Sequence, residues 1–260
     1  MTNDLLKIDP ALETNKIVSF IKTVLKKQGF NNAVIGLSGG IDSAVSLALL
    51  EKSIPSQNIF VAHLYYFKSQ INLLKPLLEK TNIPQGNIYN ISIRNAVDEL
   101  TRTMKFKKTT KDYHLRLGNI MARIRMIFLY DLAKQHNSLV CGTENKSEFL
   151  LGYFTRFGDE ASDFEPIRHL YKTHVYQLAN YLNLPKEIIS QTPTAGLWTS
   201  QTDEGDFGFS YLEADSVLHL YFEQKKPLSE IISPEFPNAK KIIAWADKNS
   251  FKHHLPYIIK

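Results

Sequence analysis

The stretch GLSGGIDSAV, Gly36 to Val45, puts three glycines, two serines and an aspartate between two apolar segments. Upstream, NNAVIGL is a β-branched apolar run that reads as a buried strand, and DSAVSLALLEK continues with apolar residues at helical spacing. The turn therefore delivers a strand into a helix N-terminus, where free backbone N–H groups and the helix dipole favour an anion. Gly36, Gly39 and Gly40 let that anion approach the main chain, Leu37 and Ile41 are the apolar residues of the turn, and Ser38 and Ser43 add hydroxyl donors. A carboxylate beside a phosphate is repulsive unless a cation lies between them. Asp42 thus points either to a bound Mg2+ or to a plain helix cap. No lysine follows Gly39 or Gly40, as a Walker A loop needs, and GLSGGI does not supply the GxGxxG dinucleotide fingerprint.

Further along, CGTENKSE ends a strand at Thr143 and opens a helix near Asn145, with Glu148 on its first turns. A second carboxylate near Asp42 could complete an oxygen-rich magnesium site, although Glu148 alone also reads as an exposed helix charge. Arg123 and Arg125 are two apart on one helix and so point to different faces. Asp163, in YFTRFGDEASDFEP, also reads as a loop-capping residue, and His253 and His254 read as exposed.

These residues need elements to hold them. LETNKIVSFIKTVLKKQGF places Ile17, Ile21, Val24 and Leu25 on one helical face and ends at Gly29. The strand AVIGL and a helix opening at Asp42 follow. NIFVAHLYY is a second strand, SQINLLKPLLEK a helix interrupted or bent at Pro76, NIYNISI a third strand, 112–136 a long helix and SLVCGT a fourth strand. Strands alternating with helices predict an α/β fold with a parallel sheet flanked by helices. Beyond residue 150, helices THVYQLANYL and YLEADSVLHLYFE alternate with irregular, glycine- and acid-rich segments, and the chain closes with NAKKIIAWADKNSFKHHLP. No internal repeat or evident linker interrupts the chain, so residues 1–260 read as one domain with long functional loops. In such sheets ligands bind beyond the carboxyl ends of the strands, where the glycine turn lies.

At 260 residues and 43% hydrophobic composition the chain can bury a sizeable core. No run reaches the roughly 18 apolar residues of a membrane span, and the polar N-terminus has no secretory core. A cytoplasmic protein that contacts no membrane is expected. Cys141 is the single cysteine, which excludes an intrachain disulfide framework or a CxxC pair. In SLVCGT it reads as a small buried strand residue. The net charge of +5 suits a nucleotide cleft as well as nucleic acid, and the dense basic stretch KFKKTTK reads as a solvated loop. No nucleic-acid partner is expected.

SGGIDS resembles the signature of the ATP pyrophosphatase, or PP-loop, superfamily, whose members split ATP between its α and β phosphates and adenylate a substrate. GNIMARIRMIFLY, GTENKSEFLLGYFTRFGD and TPTAGLWTSQTDE, in that order, resemble the motif set of the NAD synthetases over residues 16 to 257. The resemblance implies a single-domain Rossmann-like (adenine nucleotide alpha hydrolase-like) sheet. It also implies ATP-dependent amidation of deamido-NAD by ammonia, through an acyl-adenylate, with release of AMP and pyrophosphate. Mg2+ and ATP as co-substrate come with it, as does a homodimer with the dinucleotide partly across its interface.

Carried over residue by residue, the resemblance gives ATP contacts to Gly36, Leu37, Ser38, Gly39, Gly40, Ile41, Asp42, Ser43, Thr143, Lys172 and Thr194. It gives the metal to Asp42 and Glu148, and deamido-NAD contacts to Arg123, Arg156, Asp163, Phe251 and Lys252. Asp42, Asp163 and Lys172 are implied as the catalytic set. Arg156 stands where the family often has lysine, and Phe251 where it often has histidine. The segment after the second strand, HLYYFKSQINLL, is shorter than in the family. Glutaminase-bearing relatives need a nucleophilic cysteine, and Cys141 falls in a core strand, so free ammonia is the expected nitrogen source. A tRNA-modifying adenylating enzyme and a nucleotide-sensing module are the rival readings of the loop.

Overall fold

The computed structural model describes residues 5–110, 112–196, 198 and 201–254. Helix α1 (Pro10–Gln28) starts at Asp9, whose carboxylate accepts from the backbone N–H groups of Ala11 and Leu12, and ends at Gly29 as the sequence indicates. Strand β1 (Asn32–Gly36) leads to α2 (Ile41–Ser53), β2 (Ile59–Tyr65) to α3 (Ile71–Leu78), and β3 (Ile88–Ser92) to α4 (Arg94–Thr103). The long α5 (Tyr113–Gln135) precedes β4 (Ser138–Cys141). All strands are parallel, in the order β3-β2-β1-β4, with Val34 opposite Phe60 on one side and Val140 on the other. A bridge from Cys141 to Phe164 continues the sheet past β4.

Alternation along each strand divides the core in two. Ala33, Ile35, Ile59, Val61 and Cys141 pack with Ile17, Ile21, Leu47, Leu74 and Val175 on one face. Val34, Ala62, Leu64 and Val140 pack with Val97, Leu117 and Met121 on the other. The second half supplies α6 (Lys146–Leu151), α7 (Lys172–Tyr181), α8 (Lys186–Ile189), α9 (Asp203–Phe207), α10 (Tyr211–Leu218), α11 (Leu228–Ile231) and α12 (Ala239–Asn249). Here Phe207, Tyr211, Val217, Leu218 and Ile242 form a third cluster.

The expected strands and long helices are present, but β4 ends at Cys141 and not Thr143, the short helices α8, α9 and α11 were not expected, and other elements differ as follows. Helix α2 opens at Ile41 with Gly40 as its cap residue, so Asp42 lies inside the first turn and is not the cap. Helix α4 was not expected: RNAVDELTRT buries only Val97 fully, and its polar surface hides the helical period. Helix α7 begins one residue early, at Lys172. Because β1 sends the chain to β2 on one side while β4 pairs on its other side, the crevice of the sheet opens beyond β1 and β4.

Candidate active site

The loop after β1 is held by its own atoms. Ser43 Oγ accepts from the Ser38 N–H at 3.3 Å and donates to the Gly40 carbonyl at 3.0 Å, while the Gly40 N–H reaches Ser38 Oγ at 3.2 Å. Gly39 has φ of +105°, a conformation that favours glycine, and a Cβ there would lie 3.2 Å from Gln70 Oε1. Beneath the loop, buried His63 bonds the Leu37 carbonyl through Nδ1 at 2.9 Å and accepts from the Gln70 N–H through Nε2 at 3.0 Å. Nε2 is the acceptor, so Nδ1 carries the proton, and burial holds this neutral ring's pKa below the ordinary value.

Beside the loop lies a charged cluster assembled from four segments. Lys172 Nζ, on the first residue of α7 and 2% exposed, donates to Asp42 Oδ2 at 2.5 Å and Glu148 Oε1 at 3.1 Å. Asn145, the cap residue of α6, donates to Asp42 Oδ1 at 2.9 Å and accepts from the Glu148 N–H at 3.0 Å. One amide thereby ties the Asp42 carboxylate to the backbone of Glu148. Burial opposes the charge on Lys172, but Asp42 and Glu148 outweigh it and hold the pKa above that of an ordinary lysine. Burial raises the Glu148 pKa against the pull of Lys172, with Asp42 raising it further. Lys172 is therefore a fixed positive charge and not a base.

Asp203 completes the cluster and was not singled out from sequence. Its Oδ2 accepts from the Tyr211 hydroxyl at 3.0 Å and its Oδ1 from the Ala195 N–H at 3.1 Å, so it ties Ala195 to α10. The Tyr211 ring lies 5.2 Å from Lys172 Nζ. Burial raises the Asp203 pKa, with Lys172 opposing. Its available signal was its place in TSQTDE, within one of the motifs quoted above.

Other expected residues form a second group. Arg123 donates to the Arg156 carbonyl at 3.2 Å, Arg156 to the His254 carbonyl, and Lys252 Nζ to the carbonyls of Gly152 and Phe154 at 2.6 and 2.9 Å. Burial lowers the Lys252 pKa. Arg125 turns inward, as the two-residue spacing predicts, and donates to the Leu64 carbonyl at 2.9 Å. His253 was expected to be exposed but is half-buried, with Nε2 2.6 Å from the Phe149 carbonyl and its ring against Phe149 and Phe154.

Thr143 lies half-buried just beyond β4, and Thr194 is exposed with Oγ1 accepting from the Gly196 N–H at 3.0 Å. Phe251 is 50% exposed. Asp163 is exposed, and its carboxylate accepts from the Val140 N–H at 2.7 Å. Its recorded bond is thus the loop-capping one and not a bond to Lys172 or the arginines. Behind β4, Glu165 lies against Gly142, where a Cβ would come within 1.9 Å of its carboxylate, and it accepts from the Ser162 hydroxyl and the Glu144 N–H. Burial lifts Glu165 to about 7 against the pull of Ser162 and Arg168.

A glycine loop entering a helix at the crevice of a parallel sheet, with a buried lysine between two carboxylates, defines an adenylating enzyme of the PP-loop class. The match of residues 13–256 to the model described as NAD synthase shows that the chain belongs to the NAD synthetase family, whose members are ligases. It is 38% identical over 251 residues to an NH(3)-dependent NAD(+) synthetase of Fusobacterium nucleatum, covering 95% of this chain and 94% of that one. Among solved structures, an NMN synthetase from Francisella tularensis is 33% identical with a TM-score of 0.81, covering 97% of this chain and 99% of the other. An NH3-dependent NAD synthetase from Campylobacter jejuni is 32% identical with a TM-score of 0.78, covering 98% and 100%.

Proposed function

We propose that this protein amidates the nicotinate carboxylate of deamido-NAD with ammonia, the last step in making NAD. A carboxylate oxygen attacks the α-phosphorus of ATP and pyrophosphate leaves. Ammonia then attacks the acyl carbon, AMP leaves, and one proton is released. The observation that carries this reading is Lys172 Nζ, bonded to Asp42 and Glu148 beside the glycine loop. A positive charge held without solvent relaxation stabilises the charge that develops on transferring phosphate. Ser38 and the loop glycines cradle the departing pyrophosphate, and Thr143, Thr194, Leu37, Ile41 and Ser43 belong to the same ATP site. Arg123, Arg156, Asp163, Phe251 and Lys252 form the dinucleotide side.

Residues Asp42 and Glu148 fit a magnesium ion, because both carboxylates already converge on one cation, the Lys172 ammonium. Mg2+ takes one or two carboxylates and fills its remaining positions with water and phosphate oxygens. When bound it neutralises the phosphates that face Asp42. Along α5, Ile127 is 56% exposed and Ile124, Met126 and Phe128 are half-buried, an apolar strip that suits a second copy of the chain. This supports a homodimer with the dinucleotide site near Arg123 at the interface. Residues 1–260 act as one unit, in the cytoplasm, on free ammonia, because Cys141 is buried and burial raises its thiol pKa well above the ordinary value.

The Francisella tularensis relative is titled an NMN synthetase, so nicotinate mononucleotide is the acceptor to compare. The test is incubation with ATP, magnesium, ammonium and either acceptor, with NAD, NMN and AMP measured by mass. Equal NAD and AMP, dependent on ammonium, is the expected outcome. A higher kcat/KM with the mononucleotide would move the assignment to NMN synthesis. ATP binding without pyrophosphate release under either acceptor would favour a sensor, and salt-sensitive tRNA binding would favour a modifying enzyme.

A further inference from the structure

Lys172 is the first residue of α7, so its own N–H and that of Thr173 have no partner inside the helix. Both are satisfied from other elements. The Lys172 N–H donates to Ser147 Oγ at 2.8 Å, the Thr173 N–H to Asp215 Oδ2 at 2.9 Å, and Ser147 Oγ donates to Asp215 Oδ1 at 2.5 Å. Asp215 and Ser147 are both 0% exposed. Among the described residues no ion pair is recorded for Asp215, so its carboxylate is held by donors at a helix N-terminus, where negative charge is favoured.

A second carboxylate on the same element braces the neighbouring residues. Glu223 Oε1 accepts from Lys146 Nζ at 2.6 Å and from the Tyr171 hydroxyl at 2.5 Å. The chain from α10 passes into a π-helical turn, His219–Glu223, before reaching it. Eight residues of uniform α-helix advance about 2.2 turns, which would carry position 223 round from position 215. The wider π turn advances less per residue and keeps Glu223 on the side of Asp215. One element therefore grips α6 at Lys146 and Ser147, and the start of α7 at its cap residue Tyr171 and at Thr173, with Lys172 held through Ser147. These are the starts of the two helices that carry Glu148 and Lys172.

We infer that Asp215, acting through Ser147 and the first turn of α7, is a positioning residue for adenylation that sets Lys172 and Glu148 against Asp42. Resting on the reading of Lys172 as the charge beside the transferring phosphate, the inference requires that loosening this brace slow the chemical step more than it weakens ATP binding. Misplacement of a charged group by about 1 Å can cost about a hundredfold in rate.

The test compares Asp215→Asn and Ser147→Ala with the parent in steady-state pyrophosphate release, ATP binding and crystal structures. Asn keeps an acceptor for the Thr173 N–H but replaces the oxygen that takes the Ser147 proton. Both variants are expected to lose at least tenfold in kcat while KM for ATP changes less than threefold, and the double variant should be no slower than the worse single one. In their structures Lys172 Nζ should leave Asp42 or Glu148. A lowered thermal midpoint with unchanged kcat overturns the inference, leaving Asp215 a folding residue. Lys172 still bonded to both carboxylates in both variants overturns it independently, even if the parent proves to act on another acceptor. Should Asp215→Asn not fold, Ser147→Ala carries both readouts alone.

Discussion

The two faces of the sheet are built from the same alternating strands but end differently. On the face of α1, α2, α3 and α7, apolar side chains meet apolar side chains, and the charges that reach inward, Asp42 and Lys172, neutralise each other. On the face of α4 and α5 the inner positions are filled by Leu117, Ile120 and Met121, while Ile127 and Leu115 are each 56% exposed. The first face fixes its inward charges in direct bonds, although Leu12 and Phe20 on α1 are 51% and 42% exposed. The second retains uncovered apolar surface beside Arg123, which is what a partner or a second substrate requires.

The sharpest way to break this contrast is Asp42→Asn. It removes one anion from the first face and is expected to cost roughly a thousandfold in pyrophosphate release, with the far-UV circular dichroism unchanged. A folded variant with full turnover would remove Asp42 from the chemistry. On the second face, Arg123→Ala loses a charged donor and should raise KM for the dinucleotide by about tenfold to a hundredfold while sparing that for ATP. Equal effects on both substrates would erase the division. Ile127→Glu should weaken self-association by at least about tenfold, read by sedimentation at several protein concentrations. Self-association unchanged by the substitution, or absent from the parent, would assign the strip on α5 another role.

The smallest effect concerns the edge of β4. Burial gives Glu165 a folded pKa of about 7 against an ordinary 4.5, so the folded protein binds the extra proton between these values. The stability it contributes is therefore lost as pH rises through that window. Thermal midpoints measured from pH 4.5 to 7 should fall less steeply in Glu165→Gln than in the parent. Parallel curves would mean that this carboxyl is ionised throughout.

Much of the site was legible because its loop is local. SGGIDS lies within six consecutive residues, and the strand before it and helix after it declare themselves by period. Helix α4 escaped because only Val97 is fully buried, and His253 because nothing in SFKHHLP indicates Phe149 and Phe154 as its neighbours. Asp203 and Asp215 were missed because an acidic residue ordinarily signals solvent. Asp215 did leave a trace: in YLEADSVL it sits on the apolar stripe of Tyr211, Ala214 and Leu218, where a charge needs internal donors.

The sequence by itself determined the alternation of strands and helices, the phosphate-binding turn and the family, because each depends on residues near one another in the chain or on an ordered set of motifs. Only the tertiary structure decided that Asp42, Asn145, Glu148 and Lys172 meet, and that Asp203 and Asp215 hold the neighbouring segments in place. Their bonds span up to 130 positions between Asp42 and Lys172. Such contacts form because a charge buried away from water persists only where a distant segment supplies its partner.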